Sequence, residues 1–469
     1  MNAEIIAVGS ELLTPFRIDT NSLFLTRELN KLGVDVIRKA VVGDSRKELR
    51  SVLQHAMDVA DLVVCSGGLG PTEDDLTREV LAETLGRRLV RDDEILRTIQ
   101  ERFRRYGRAM PENNARQAMI LEGAQALKNP RGTAPGQWIE VKGRVVVLLP
   151  GPPVELEAVF ASEVGPRLEK LGHRRRLYVR DLRVTGLPES EVEQRVASIY
   201  RQHPECDVTI LSAPGEIQLH PRLWSEDAAA AEKTLDEMVK GFALALGENL
   251  FSTSGESIEE VVGRELQQHR ATISTAESCT GGMVAARLTN VPGSSTYFLG
   301  GVVCYSNDLK SAWTGVSPDV IEAKGAVSAE VAVALAEGIR RNTRATVGVS
   351  ITGIAGPGGG TPEKPVGLVH IGLADERGTK ERAFQFPGDR ERIRTFATIG
   401  ALDMVRRHFC TRGLAKDRMC ACSLRLKFRG SPARAGGVYR AGPNRSARLA
   451  LGARGRASRH TEIYRRNRI

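Results

Sequence analysis

The strongest constraint on the fold is an alternation. Short apolar runs end near glycine, and segments of helical period follow them. Ala3 to Val8 runs into Gly9, and Asp61-Leu-Val-Val-Cys65 runs into Gly67-Gly68. Ala271–Ser274 leads into Ala276–Gly282, and Thr346–Ile351 into the glycine-rich stretch Gly353–Gly360. Between such runs, Thr20–Leu32 carries Leu23, Leu25, Leu29 and Leu32 at helical spacing and stops at Gly33. Ser328–Arg341 puts Val331, Ala334, Leu335 and Ile339 on one face. Such β-α-β alternation predicts an α/β fold, with a largely parallel sheet and helices on both faces. Ligands of these sheets sit at the carboxyl ends of the strands. Gly9–Leu12 and Gly67–Asp75 are therefore the loops of interest in the first part of the chain.

A chain of 469 residues exceeds one ordinary domain. Residues 1–170 read as one α/β domain. Its further strands are Val34–Val42, Gln137–Val141 and Arg144–Leu149, with helices at Ser45–Val59, onward to about Gly107, and after Pro153. Residues 171–250 read as a small α+β unit that connects or dimerises. It has strands at Leu177–Val184, Val208–Leu211 and Glu216–Leu219, a helix from Ser190 and an Ala-rich helix from Asp227. Residues 251–410 resume the alternation, with a helix at Ile258–Gln268 and strands at Tyr297–Tyr305, Val366–Ala374 and Glu381–Phe386. A helix at Arg390–Phe409 closes that domain. Residues 411–469 keep no hydrophobic period and read as a disordered tail.

The net charge of +10 points first to a polyanion partner. Its distribution argues otherwise. The 411–469 tail holds 16 basic and 2 acidic residues, leaving 51 basic and 55 acidic in 1–410. The body is mildly acidic, so any nucleic-acid contact is expected only through the tail. That tail is either a polyanion-binding arm or the product of a shifted reading frame. The seven cysteines form no C-x-x-C pair, and Cys420-x-Cys422 has no second pair to complete a zinc site. With no leader-like start and no long apolar run, a soluble, cytoplasmic protein is expected, with free thiols and no membrane contact.

Two groups of residues carry candidate chemistry. In Ser66-Gly-Gly-Leu-Gly-Pro-Thr-Glu-Asp-Asp75, Gly67, Gly68 and Gly70 let backbone N–H groups approach an anion, with Thr72 beside them. Asp74 and Asp75 offer oxygen ligands to a hard divalent cation. Thr72-x-x-Asp75 also matches a helix-capping box, which would make Asp75 structural. In Ala276-Glu-Ser-Cys-Thr-Gly-Gly282, Ser278 or Cys279 would sit exposed between a strand and a helix, where backbone N–H groups stabilise an oxyanion. No histidine lies nearby; Tyr305 and Lys310 of Tyr305-Ser-Asn-Asp-Leu-Lys310 are the alternative activating groups. Spacing alone equally allows Lys310 as an exposed helix lysine and Cys279 as a small buried residue.

Taken with Gly9-Ser-Glu-Leu-Leu13, Asp19-Thr-Asn21, Asn129–Gly136 and Leu149–Glu155, the first domain resembles the MoaB/MogA-like molybdopterin-binding fold. Thr275–Gly282, Tyr305-Ser-Asn307, Ile351–Pro357 and Lys364-Pro-Val-Gly367 resemble the C-terminal domain of the CinA family, and the combined match covers about 1–410. The resemblance implies a nicotinamide mononucleotide amidohydrolase in residues 251–410. There Ser278 is the nucleophile, Lys310 and Tyr305 the acid/base partners, and Thr352 lies near the substrate. Glu277, Thr280, Gly281, Gly282, Gly353 and Gly356 line that site, the oxyanion donors are the Gly281–Gly282 amides, and no cofactor is needed. It implies an ADP-ribose pyrophosphatase in 1–170 that uses Mg²⁺, Co²⁺ or Mn²⁺ at Asp74 and Asp75, with Glu11, Asn21 and Glu155 as further matches. Nucleotides are the expected ligands and a homodimer the expected assembly. A pterin-binding or adenylyl-transferring protein, and a non-enzymatic partner in DNA uptake or repair, remain the alternatives.

Overall fold

A computed structural model describes residues 1–172 and 174–414. The expectation of a disordered tail falls, from residue 415 onward, outside the described residues, as does Cys420-x-Cys422. The fold is α/β, with three main sheets along the chain.

The first sheet has the order Asp35–Val42, Asn2–Val8, Leu62–Ser66, Arg144–Leu149, Gly136–Val141, Gln125–Leu127. The first four strands are parallel, and the last two turn antiparallel. Every residue of Leu62–Ser66 is buried, as a strand covered on both faces must be. Side chains alternate between the two cores. Ile6, Val63, Cys65 and Val146 pack with Leu49 and Leu53 of the Arg46–Val59 helix. Ile5, Leu62, Val64 and Val147 pack with Leu25 and Leu29 of the Thr20–Lys31 helix and with Leu156. The antiparallel strands stand at one edge only, so the expectation of a largely parallel sheet holds for its centre. The 67–107 stretch holds two helices, Thr77–Leu85 and Asp93–Arg105, separated by the short strand Leu89–Arg91.

The second sheet is antiparallel, in the order Asp207–Ala213, Glu216–Ser225, Leu182–Val184, Leu250–Ser252, with Arg176–Val179 also pairing Glu216–Ser225. Leu235, Met238 and Phe242 of the Ala228–Leu246 helix share its core with Val192 and Val196 of the Glu189–Tyr200 helix. The single strand expected at 177–184 is two strands. They flank Pro221, which has no N–H to continue the ladder. Its carbonyl accepts from the Arg180 amide, and the Arg180 side chain turns to Asp236 and Glu232.

The third sheet runs Phe298–Val303, Ile273–Glu277, Val347–Gly353, Leu368–Asp375, Gly378–Gln385. The first three strands are parallel and the last two form an antiparallel hairpin. One face packs on Val261, Val262 and Leu266 of the Ile258–Gln268 helix and on Ala397, Ala401 and Val405 of the Arg390–Leu414 helix. The other face packs on Val331, Leu335 and Ile339 of the Ala329–Thr343 helix. Ile273–Glu277 and Val347–Gly353 are neighbours, so Ser278 and Thr352 leave the sheet at the same carboxyl edge.

Candidate active sites

In the first domain a cavity of about 600 Å³ opens at the carboxyl ends of the parallel strands. Carboxylates of Glu11, Asp19, Asp44, Asp74, Asp75 and Glu155 line it, with Arg17 as a cationic residue in the wall. Its floor is the glycine loop. Gly67 has φ +104°, and a Cβ there would run into the Val8 carbonyl, so the loop crosses the strand end only as glycine. Arg78, 1% exposed, lies beneath and donates to the carbonyls of Leu69 (2.7 Å) and Gly70 (2.9 Å). Thr77 Oγ1 donates to the Gly67 carbonyl. The Thr77 amide in turn holds the Gly68 carbonyl (3.2 Å), so trans peptide geometry turns the Gly68 and Leu69 amides away from the held Gly67 and Gly68 carbonyls, and among the described residues these amides meet no acceptor.

The two aspartates part company. Asp75 accepts from Gly70 N (2.7 Å), Thr72 N (2.9 Å) and the Thr72 hydroxyl. It clamps the loop, and the helix begins only at Thr77, so Asp75 is a loop clasp and not the third residue of a capping box. Its oxygens are occupied, which differs from the expectation that it ligates metal. Asp74 is exposed; the Thr72 hydroxyl and its own amide hold its carboxyl below the usual range, with Arg116 adding to the effect. Asn21 donates to Ser66 Oγ and the Gly151 carbonyl (both 2.8 Å) and so ties the loop walls together. Glu155 accepts from Asn129 Nδ2 at 2.7 Å. Among the described residues no three His, Cys, Asp or Glu side chains converge as a preformed metal site. The donor set is all oxygen. It suits a hard cation that takes one or two carboxylates and fills its shell with water and phosphate oxygens.

In the third domain Ser278 follows the Ile273–Glu277 strand and is 9% exposed, with its amide on the Ile351 carbonyl. Glu277 is buried. Its carboxylate accepts from Thr280 Oγ1 (2.7 Å) and from the amides of Gly282 (2.9 Å), Val284 (3.1 Å) and Ala285 (2.8 Å). It satisfies the start of the Met283–Asn290 helix. Glu277 and Thr280 thus build the turn and do not line the site. The expected oxyanion donors are also engaged: Gly281 N goes to the Ser278 carbonyl, Gly282 N to Glu277. Arg394 donates to the carbonyls of Cys279 (3.0 Å) and Thr280 (2.8 Å).

Lys310 is 2% exposed, not the surface lysine its spacing allowed. Ser306 caps its helix. Lys310 Nζ donates to the Tyr305 carbonyl at 3.0 Å. Burial pulls its pKa below the ordinary lysine value, against opposing influences from Cys304, Cys279 and Tyr305. Burial pushes the Cys279 thiol up to about 12, which leaves it protonated and a poor nucleophile. Thr352 Oγ1 donates to the Ala326 carbonyl at 2.7 Å. Gly353 and Gly356 are required by packing, since a Cβ would strike Val369 and Val366 respectively. Two arginines that sequence reasoning missed reach this site from the Arg390–Leu414 helix: Arg394, and Arg390, which contacts Tyr305 and Gly356. Cys65, Cys206, Cys279 and Cys304 are free thiols. Among the described residues no helix is long and apolar enough to cross a membrane.

Comparison with known proteins matches both of these domains. Residues 4–170 match the family model described as "Probable molybdopterin binding domain", and residues 255–409 match the CinA C-terminal domain. A CinA-like protein of Koribacter versatilis is 51% identical over 411 residues, 87% of this chain and 99% of that protein. A CinA-like protein of Solibacter usitatus is 47% identical over 407 residues, 87% of this chain and 98% of that protein. A crystal structure of a competence/damage inducible protein from Agrobacterium tumefaciens is 39% identical over 32% of this chain and 93% of its own, with a TM-score of 0.31. Near-complete coverage of relatives at about half identity leaves one conclusion: the chain belongs to the CinA family.

Proposed function

We propose that the C-terminal domain hydrolyses the carboxamide of nicotinamide mononucleotide to nicotinate mononucleotide and ammonia. The observation that carries the reading is Lys310, a buried amine with depressed proton affinity that feels Cys279, the neighbour of Ser278, and has no carboxylate ion-pair partner among the described residues. A serine is a weak nucleophile without a base, and a desolvated lysine is one of the few side chains that supplies it. Ser278 Oγ bonds to the amide carbon as its proton passes to Lys310. The carbon–nitrogen bond then breaks as the nitrogen takes a proton by way of Lys310 and Tyr305, and ammonia leaves. Water attacks the resulting ester, releasing nicotinate mononucleotide and restoring Ser278. Arg390, Arg394 and Lys310 lack carboxylate partners among the described residues, so the site's charge suits a substrate bearing a phosphate monoester. Ammonia release is expected to vanish in Ser278→Ala and persist in Cys279→Ala. Loss in the cysteine variant alone would reverse the assignment.

For the N-terminal cavity the reading is a divalent-cation-dependent ADP-ribose pyrophosphatase. Six carboxylates would repel a diphosphate unless a cation lay between them. Asp74, exposed and held ionised, is the residue to hold it; the cation would neutralise phosphate charge during water attack. Arg78, Thr77 and Asp75 keep the glycine loop in shape, and the Gly68 and Leu69 amides are its anion donors. The match of 4–170 to a molybdopterin-binding model favours one second reading, pterin binding without turnover. Calorimetric binding of a pterin by a protein that leaves ADP-ribose intact would select it.

A further inference from the structure

We propose that Arg390 is a positioning residue that holds the Tyr305 hydroxyl in place for proton transfer. Arg390 opens the Arg390–Leu414 helix. Its planar fork spans two groups: Nη1 donates to the Gly356 carbonyl at 2.9 Å and Nη2 to Tyr305 Oη at 3.0 Å. Tyr305 is 57% exposed, and among the described residues Arg390 is the only partner of its hydroxyl. A phenol oxygen both accepts and donates. With the guanidinium donating to it, the phenolic proton is directed away from Arg390 and stays available. Without Arg390, nothing in the described protein orients the ring's polar end. Lysine would not substitute fully, because a single ammonium lacks the fixed fork that reaches both groups.

The location on the helix strengthens the argument. Arg394 stands four residues on, one turn further along the same face. It holds the Cys279 and Thr280 carbonyls beside Ser278. One rigid helical turn therefore sets both sides of the reaction centre, the nucleophile's turn through Arg394 and the proton carrier through Arg390. Among the described residues the charged groups acting on Tyr305 are Arg390 from this helix and Lys310 from the Asn307–Thr314 helix.

The inference rests on the deamidase reading, and the experiment separates the two. Ammonia release from nicotinamide mononucleotide is followed for the full chain and for Arg390→Met, Arg390→Lys, Tyr305→Phe and the Arg390→Met/Tyr305→Phe double variant. Arg390→Met should lower kcat roughly tenfold to a hundredfold, the effect of misplacing a reacting group, beyond any rise in KM from the lost positive charge. Arg390→Lys should recover part of that loss. In the Tyr305→Phe background Arg390→Met should cost almost nothing more, because the two act as one unit. A general loss of structure would instead add to the Tyr305→Phe defect. The proposal is overturned if Arg390→Met leaves kcat intact, if it raises KM alone, or if the two losses multiply. If the unmodified protein releases no ammonia, or Tyr305→Phe runs at full rate, the deamidase reading or its acid/base assignment fails, and the role of Arg390 falls with it.

Discussion

At the residue scale, the C-terminal site turns on Lys310, a side chain whose environment opposes its own charge. It sits buried, its proton affinity depressed by desolvation, with only a backbone carbonyl for its ammonium. In the window between its folded and unfolded pKa values the unfolded chain binds the extra proton. Stability contributed by this group therefore rises with pH across that window, and below it the buried charge is a standing cost. Lys310→Met should accordingly raise the thermal unfolding midpoint at neutral pH while lowering ammonia release by at least about a hundredfold. Opposite signs for stability and activity mark a group kept for chemistry. A midpoint that fell would show that Lys310 supports the fold. The rate itself should climb with pH toward a plateau reached below the ordinary lysine range, since the base must be neutral to accept the serine proton.

At the element scale, the strands and the helices between them were legible because burial on two faces leaves a contiguous apolar run. Leu62–Ser66, the Arg46–Val59 helix and the Ala329–Thr343 helix follow directly from their periods. What was not legible depends on contacts distant in sequence. The break at Arg180–Asp181 comes from a proline some forty residues on, in the paired strand. The clasp role of Asp75 depends on a loop that turns back upon it. Arg390 and Arg394 lie more than a hundred residues beyond Cys279, on the helix that closes the domain. The motif residues themselves, Ser278 and Lys310, were visible from the sequence; the groups that hold them were not. That helix is also gripped from the middle domain. Gly215, at φ +83° in the turn between Asp207–Ala213 and Glu216–Ser225, lies against Ile399 and Phe396, and a Cβ there would stand 2.7 Å from Ile399 Cδ1. Gly215→Ala should lower unfolding free energy by about 1 kcal/mol or more beyond Gly107→Ala. Gly107, at φ +68°, has nothing within 4 Å of its added Cβ, so that variant carries the backbone cost alone. Equal losses in denaturant titrations would mean the turn and the helix do not press on each other.

At the scale of the whole molecule, the two candidate sites have opposite electrostatics, and that opposition predicts separable activities. The first is walled by six carboxylates with Arg17 among them. The second has Lys310, Arg390 and Arg394 around its nucleophile, and its buried acid, Glu277, is consumed by four donors of its own turn. A phosphate-bearing ligand meets repulsion in the first site and attraction in the second. The first therefore needs a cation to bind its ligand, and the second does not. A chelator should abolish ADP-ribose cleavage and leave ammonia release unchanged, with Mg²⁺, Co²⁺ or Mn²⁺ restoring only the former. Asp74→Asn should reproduce the chelator's effect, reducing pyrophosphatase activity at least about tenfold, because an amide oxygen binds a hard cation far less well than a carboxylate. The same substitution at Asp75 should act differently. Losing the acceptor of Gly70 N and Thr72 N loosens the loop, so Asp75→Asn should lower thermal stability as well, and added cation should not rescue it. Retained cleavage in Asp74→Asn together with cation-rescuable loss in Asp75→Asn would exchange the roles of the two aspartates and place the cation on the residue argued here to be a clasp.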